Sequence, residues 1–253
     1  VVPIEIIRNR AHLHSFFSTL ITYSMKKIVC LIFLYFISIH FTLAQDCLGI
    51  KLKSGNGFEM STYDGNGKSI GKLNYKIIDV ATQGDESVIT IEMETLDAKG
   101  KSQMKNTYKM NCDGNTLRID ASAMINQEQR KSFEKMDMKF TFDNIEFPKN
   151  LSVGQELKES NMKGDGNGPI PISFSMRIFN RKVVSKENIK VPAGNFDAFK
   201  ITSDNEMNSK MGVNIKFDTQ TVSYRSPDVI WDIKSETYRK GKLISFSELT
   251  KIY

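Results

Sequence analysis

The sequence predicts a mainly β protein: one strongly curved antiparallel sheet or open barrel, clam-like, of about ten or more strands with one short helix. The first observation is alternation. Ile172, Phe174, Met176 and Ile178 are separated by polar residues, and residues 89–94, 138–143 and 213–218 repeat the pattern. Period two with one polar face is typical of antiparallel sheet that packs on one side only. A two-sheet β-sandwich is the alternative architecture.

The second observation is a recurring hairpin turn. Residues 62–68, 95–101 and 237–242 each end a strand in a short polar turn that closes with Gly-Lys. Glycine accepts the positive φ that such turns need. A fourth turn is predicted at Val191-Pro192-Ala193-Gly194, because Pro192 cannot donate to a ladder and an apolar pattern restarts at Phe196.

The remaining local signals predict one helix and one loop. Asn126 and Gln129 form a capping-box pattern, so a helix is expected over about residues 122–136. Residues 161–168 hold three glycines around Asp165 and Asn167, and they predict a mobile surface loop. The Asp-Gly-Asn-Gly sequences at Asp64 and Asp165 lack the acidic ligands of a calcium loop, so both are interpreted as turns.

The N-terminal segment has the pattern of an export signal. Residues 1–24 are interpreted as an upstream or wrongly assigned segment. Met25-Lys26-Lys27, an apolar run and Thr42-Leu43-Ala44 predict a signal peptide over residues 25–44. A retained membrane anchor is the alternative, but the apolar run is short for a span. Residues 45–253 are then expected to form a single β-rich domain with no transmembrane segment after signal cleavage.

Composition excludes several classes of function. The net charge of +6 is spread along the chain without a basic stripe, so nucleic acid is not an expected partner. All three histidines precede the predicted cleavage site, which removes histidine-based catalysis and argues against a metal site. No catalytic residue and no cofactor is predicted. Carboxylate pairs such as Glu92 with Glu94 and Asp204 with Glu206 leave a hydrolase as a remote alternative.

Two cysteines follow the predicted cleavage site. An even pair in an exported chain favours a disulfide between Cys47 and Cys112, with free thiols as the alternative. Asp46 precedes Cys47, where lipidation needs a small residue, so Cys47 is not expected to be a lipid acceptor. The disulfide would pin the N-terminus, and Leu48 and Ile50 are expected to join the sheet as an edge strand.

The chain holds 12 methionines and 16 phenylalanines, which suit an adaptable apolar surface. A concave sheet face rich in them predicts a site for an apolar ligand, and ordinary core packing is the alternative for each residue. The candidates for this site are Met124, Phe133, Met136, Phe174, Met176, Phe217 and Trp231.

Several segments together resemble a known family. They are Tyr63-Asp64, Tyr108 leading to Cys112, residues 151–154, residues 191–196 and the C-terminal residues 235–238 and 247–250. In these the chain resembles the TapB-like, domain-of-unknown-function 3108-like group of secreted β-rich proteins of Gram-negative bacteria. The resemblance implies export and β-rich structure; it implies no established activity, so no catalytic residue is carried over from it.

The function predicted from the sequence is therefore non-enzymatic. We expect an exported protein, periplasmic, associated with the outer membrane or secreted. Its partner is expected to be an apolar small molecule or an envelope protein segment on the concave face of the sheet. A structural or interaction module with a fully packed core is the alternative.

Overall fold

The structure is a computed structural model that describes residues 45–120, 125, 127–135, 137–166, 172–211 and 213–253. Residues 44–253 form one compact unit. Its main feature is a 13-stranded antiparallel sheet, with the spatial order β8-β10-β11-β12-β13-β14-β15-β3-β4-β5-β6-β7-β9. The sheet is not closed, because β8 and β9 are its two edges and do not pair.

The strands are β1 (Gln45–Cys47), β2 (Ile50–Leu52), β3 (Gly57–Asp64), β4 (Ser69–Gln83), β5 (Glu86–Asp97), β6 (Ser102–Cys112), β7 (Thr116–Ile119), β8 (Met138–Phe142), β9 (Ile145–Pro148), β10 (Ser160–Gly166), β11 (Ile172–Val191), β12 (Gly194–Met211), β13 (Val213–Arg225), β14 (Asp232–Arg239) and β15 (Lys242–Ile252). The predicted curved antiparallel sheet is confirmed.

The predicted hairpin turns are present. At the β3–β4 turn, the Asp64 carboxylate accepts hydrogen bonds from the main-chain N–H of Asn66 and of Lys68, both at 2.9 Å. Asp97 repeats this arrangement at the β5–β6 turn. Gly67 and Gly100 adopt φ of 83° and 81°, which an L side chain rarely tolerates. The aspartate and the glycine together therefore fix each turn.

The turn at Pro192-Ala193 joins the two longest strands, β11 and β12. Its position is fixed from outside the hairpin, because the Ala193 N–H donates to the Leu249 carbonyl at 3.1 Å. Val191 and Ala198 beside it are buried. The turn at Pro192-Ala193 thus attaches this end of the β11–β12 hairpin to β15.

The predicted loop over residues 161–168 is wrong for its described part. Residues 161–166 belong to β10, which pairs with β8 on one side and β11 on the other. A Cβ at Gly164 would lie 2.3 Å from the Phe140 ring, so glycine here permits a close side-chain approach and does not mark a turn. Asp165 is likewise a strand residue and not part of a turn.

The predicted helix is present and shorter than expected. Helix α1 spans Gln127–Lys135. Asn126 and residues 122–124 and 136 of the predicted span lie outside the described residues. Phe133 of the helix packs on Phe140 of β8, with ring centroids 5.0 Å apart.

The N-terminal segment forms its own two-stranded sheet. Strands β1 and β2 pair only with each other, so the prediction that Leu48 and Ile50 join the main sheet is wrong. Leu48 has φ of 58° and lies in the tight turn between the two strands, which lets the chain fold back on itself. Cys47 and Cys112 form a disulfide with Cα atoms 5.7 Å apart, which ties this hairpin to the end of β6.

The curvature of the main sheet brings its two ends together. The main chain of residues 154–157 hydrogen-bonds to β11 at Arg181 and Val183, next to a register shift after Phe179. Arg181 then reaches β9, the far edge, by donating to the Glu146 carbonyl at 3.1 Å. The third strand from one edge therefore contacts the opposite edge strand, and the inner face of the sheet encloses a space.

Candidate functional site

A cavity of about 570 Å³ lies inside the curved sheet. Strands from both halves of the sheet line it: β4, β5, β6, β7 and β9 on one side, and β11 to β14 on the other. Much of its wall is apolar, formed by residues such as Tyr75, Met93, Tyr108, Phe147, Ile178 and Trp231. Alternation along the strands places the strand residues among them on the inner face, and Trp231 lies directly before β14.

Aromatic rings form the floor of the cavity. The Trp231 ring lies 5.2 Å from the Tyr75 ring and 6.5 Å from the Tyr108 ring, centroid to centroid. Phe58 stacks on Tyr75 at 4.5 Å from behind. Burial raises the pKa of both tyrosine hydroxyls, so both phenols stay neutral near pH 7. The floor is therefore apolar and uncharged.

The hydroxyl group of Tyr108 is buried and has no hydrogen-bond partner within the described part of the chain. Such groups are rare in folded proteins, because an unpaired buried hydroxyl loses its water without compensation. The buried Tyr108 hydroxyl therefore lowers the stability of the fold locally, in the wall of the cavity.

Two arginines and one aspartate form a charged group beside the cavity, of which Arg181 and Asp232 line it. Arg225 is 5% exposed and contacts Asp232, with Nη1 3.0 Å from Oδ1. Its Nη2 donates to the Ile230 carbonyl at 2.6 Å. Burial raises the pKa of Asp232, and Arg225 opposes that rise. Arg181 is the third member, 4% exposed, and its charge also acts to lower the pKa of Asp232.

Phe147 lies between the two guanidinium groups. The Arg225 Cζ is 3.9 Å from its ring centroid, and the Arg181 Cζ is 4.9 Å from it. Cation–π contacts of this kind stabilise buried cations. The edge strand β9, which carries Phe147, is therefore attached to β11 and β13 through these two arginines.

A short polar strip crosses the same inner face on β12 and β13. It consists of Ser203, Asn205, Thr221 and Ser223. The Asn205 Nδ2 donates to the Thr221 Oγ1 at 2.8 Å. These positions alternate with outward residues, so the strip faces the cavity. The cavity wall thus combines apolar and aromatic residues with polar and charged ones.

The structure places one of the sequence candidates in the cavity wall, Trp231. Phe174, Met176, Phe133 and Phe217 are not among the residues that line it. Met176 is two residues from the lining residue Ile178, which corresponds to about 7 Å along a strand. Phe217 is covered by Arg239, whose Cζ is 4.3 Å from the ring centroid. Met124 and Met136 lie outside the described residues.

Met176 and Phe217 nevertheless belong to one arrangement. Phe142, Met162, Met176, Met207 and Phe217 are register partners across the five neighbouring strands β8, β10, β11, β12 and β13. Register partners in antiparallel strands project to the same side. This apolar row lies next to the row that holds the cavity residues Ile178 and Asn205.

Sequence reasoning missed the polar members of the wall, Arg181, Ser203, Asn205 and Asp232. A signal was present at Asp232, because a carboxylate directly after the apolar run Val229-Ile230-Trp231 is unusual in a protein interior unless it is paired.

The carboxylates considered for a hydrolase do not form an acid–base pair. Glu92 and Glu94 both face Lys105 at 3.8 Å. Hydrogen bonding to Lys216 lowers the pKa of Glu206 and keeps it ionised, whereas a general acid needs a raised pKa. In the described ranges, no three His, Cys, Asp or Glu side chains come together as a metal site. No described helix is long and apolar enough to cross a membrane.

Comparison with known proteins gives a family and two related folds. The DUF3108-like family model matches residues 53–249. A Bacteroides fragilis structure, described as an exported protein with a YmcC-like fold, aligns with a TM-score of 0.57 and 20% identity, covering 79% of this chain and 96% of that one. A Parabacteroides distasonis structure, described as a lipoprotein, aligns with a TM-score of 0.63 and 21% identity, covering 83% of this chain and 100% of that one. No curated protein matches the chain.

Proposed function

This chain belongs to the DUF3108-like family, and we propose that it is a non-enzymatic exported protein that holds an apolar ligand in the cavity of its curved sheet. The observation that carries the proposal is the cavity of about 570 Å³, whose wall contains both aromatic rings and a polar strip. Ligand sites in proteins are typically concave and mostly apolar, with a few polar groups, at about 300–1,000 Å³.

The cavity argues against the alternative of a scaffold with a fully packed core. Packed interiors contain few voids larger than a water molecule. Here the side chains of Trp231, Tyr75 and Met93 border open space. A module that served only as a support would gain stability by filling that space.

Export is part of the same proposal. The predicted signal peptide over residues 25–44 accounts for delivery, and the disulfide between Cys47 and Cys112 suits an oxidising compartment. Mass spectrometry of the exported protein is expected to find Gln45 at or near the N-terminus. An intact segment 30–40 in the exported protein would contradict this part of the proposal.

The binding test uses a reporter that the chain already contains. Trp231 is the only tryptophan and lines the cavity, so its fluorescence reports on that site alone. Titration with the neutral alcohol dodecanol is expected to shift the emission and to saturate. Native mass spectrometry of protein purified from its own envelope is expected to show a bound lipophilic molecule.

A matched pair of variants locates the binding. Ser203→Phe places a ring in the cavity from β12 and is expected to abolish the fluorescence change. Thr202→Phe adds the same ring at the adjacent position, which faces the other side of the sheet, and is expected to leave binding unchanged. Unaltered binding in Ser203→Phe, or no binding in the unmodified protein, would refute the proposal.

A further inference from the structure

The charged group beside the cavity carries more positive than negative charge. Arg181 lines the cavity and is 4% exposed. Arg225 is 5% exposed and lies behind the wall, in contact with the lining residues Asp232 and Phe147. Two carboxylates act on Arg181, and each is paired with another cation: Asp232 with Arg225 at 3.0 Å and Glu146 with Lys158 at 2.8 Å. In the described part of the chain, no carboxylate lies within 4.0 Å of the Arg181 nitrogens. The group of three therefore keeps one unmatched positive charge.

The contacts of Arg181 satisfy part of its hydrogen bonding and leave its charge in place. Nη1 donates to the Lys158 carbonyl at 2.6 Å, and Nη2 donates to the Glu146 carbonyl at 3.1 Å. These are two of five N–H donors. Burial lowers the pKa of Arg181 to about 10, so the group is still protonated at pH 7. Buried charges in proteins are normally paired, since desolvation is costly.

We propose that the cavity binds a single-chain amphiphile with a carboxylate head group, and that Arg181 pairs with the head group. This inference rests on the proposed function and names its ligand class. The apolar floor around Trp231 and Tyr75 takes the hydrocarbon chain. The carboxylate brings the charged group of Arg181, Arg225 and Asp232 to neutrality.

The alternatives fit the wall less well. A cationic amphiphile would add a second unmatched positive charge. A small inorganic anion would satisfy Arg181 and leave the aromatic floor in contact with water. An arginine fork suits a carboxylate in particular, because two parallel N–H groups match its two oxygens. Ser203 and Thr221 on the polar strip offer hydroxyl groups near the same side of the cavity.

The test compares three probes that share one hydrocarbon chain and differ in the head group: dodecanoate, dodecanol and dodecylammonium. Each is titrated into the protein at pH 7, and binding is followed by Trp231 fluorescence. Dodecanoate is expected to bind at least tenfold more tightly than dodecanol, which corresponds to about 1.4 kcal/mol. Dodecylammonium is expected to bind more weakly than dodecanol. Equal binding of all three, or tighter binding of the ammonium, would overturn the inference and leave the proposed function standing. No binding of any probe would refute the proposed function itself.

Arg181→Gln then assigns the preference to one residue. It is expected to reduce dodecanoate binding to the level of dodecanol, while dodecanol binding stays unchanged and shows that the cavity is intact. The control is Arg177→Gln on the same strand, because Arg177 pairs with Glu159 at 2.6 Å outside the cavity. It is expected to keep the full preference. A preference that survives in Arg181→Gln would overturn the assignment; if that variant fails to fold, the three-probe comparison on the unmodified protein decides.

Discussion

Replacing Cys47 and Cys112 by serine tests how the N-terminal hairpin is held. The two cysteines are 65 residues apart in sequence, and their disulfide joins β1 to the end of β6. In the chain-entropy model, closing a loop of that length removes roughly 15 cal/mol/K of unfolded-state entropy. The free energy of unfolding is therefore expected to fall by about 4 kcal/mol at 25 °C in the double variant.

The loss is expected to begin at the N-terminus. Strands β1 and β2 pair only with each other, and Leu52 of β2 packs on the core at 5% exposure. Without the disulfide, hydrogen exchange in residues 45–52 is expected to accelerate far more than exchange in β5, where Ile89 and Ile91 are buried.

The measurement is urea unfolding of the double variant, of the unmodified protein and of the unmodified protein with reductant. The reduced protein is expected to match the double variant. An unchanged midpoint in the double variant would refute the reasoning, as would uniform acceleration of exchange across the sheet.

Three further predictions concern the sheet interior. Arg225→Met is expected to cost about 3–5 kcal/mol at pH 7 by leaving Asp232 buried and unpaired. In this variant the pKa of Asp232, which burial already raises, is expected to rise further. The loss in free energy of unfolding, measured with urea, therefore shrinks as the pH falls towards 4. The control is Lys216→Met, which removes an ion pair with Glu206 at the surface. Tyr108→Phe is expected to raise stability by up to about 1 kcal/mol, because it removes an unpaired hydroxyl; a lower melting temperature would show a missed partner. Gly164→Ala is expected to cost about 1–3 kcal/mol against the Phe140 ring, and Phe140→Leu is expected to recover part of the loss in a double-mutant cycle.

Local structure was predictable because its causes are local. The turns at Asp64 and Asp97 depend on a side chain and a glycine within five residues, and the alternation of Ile89 and Ile91 follows from strand geometry. The same local reasoning misassigned Gly164. Glycine is needed at position 164 because the Phe140 ring on a neighbouring strand leaves no room for a Cβ atom. Sequence spacing does not show that contact.

The cavity depends on contacts between distant parts of the chain. Several contacts bring the two ends of the sheet together, among them the hydrogen bond from Arg181 to the carbonyl of Glu146, 35 residues away, and the ion pair of Lys158 with Glu146. Alternation indicates which residues face inward, but it does not indicate whether the inner face is filled. For this reason Phe174 and Phe217 were as plausible from the sequence as Trp231. Only the curvature separates the residues that enclose the cavity from those farther along the same strands.

The volume of the cavity and the chemistry of its wall support the same interpretation. Packed protein interiors contain few voids larger than a water molecule, and this cavity of about 570 Å³ is far larger than that. The space therefore belongs to water or to a ligand. Water suits Arg181 and the polar strip, but it is a poor neighbour for Trp231 and Tyr75. A molecule with one charged end and a hydrocarbon chain suits both sides at once, and this difference in fit is what the three probes of equal chain length measure.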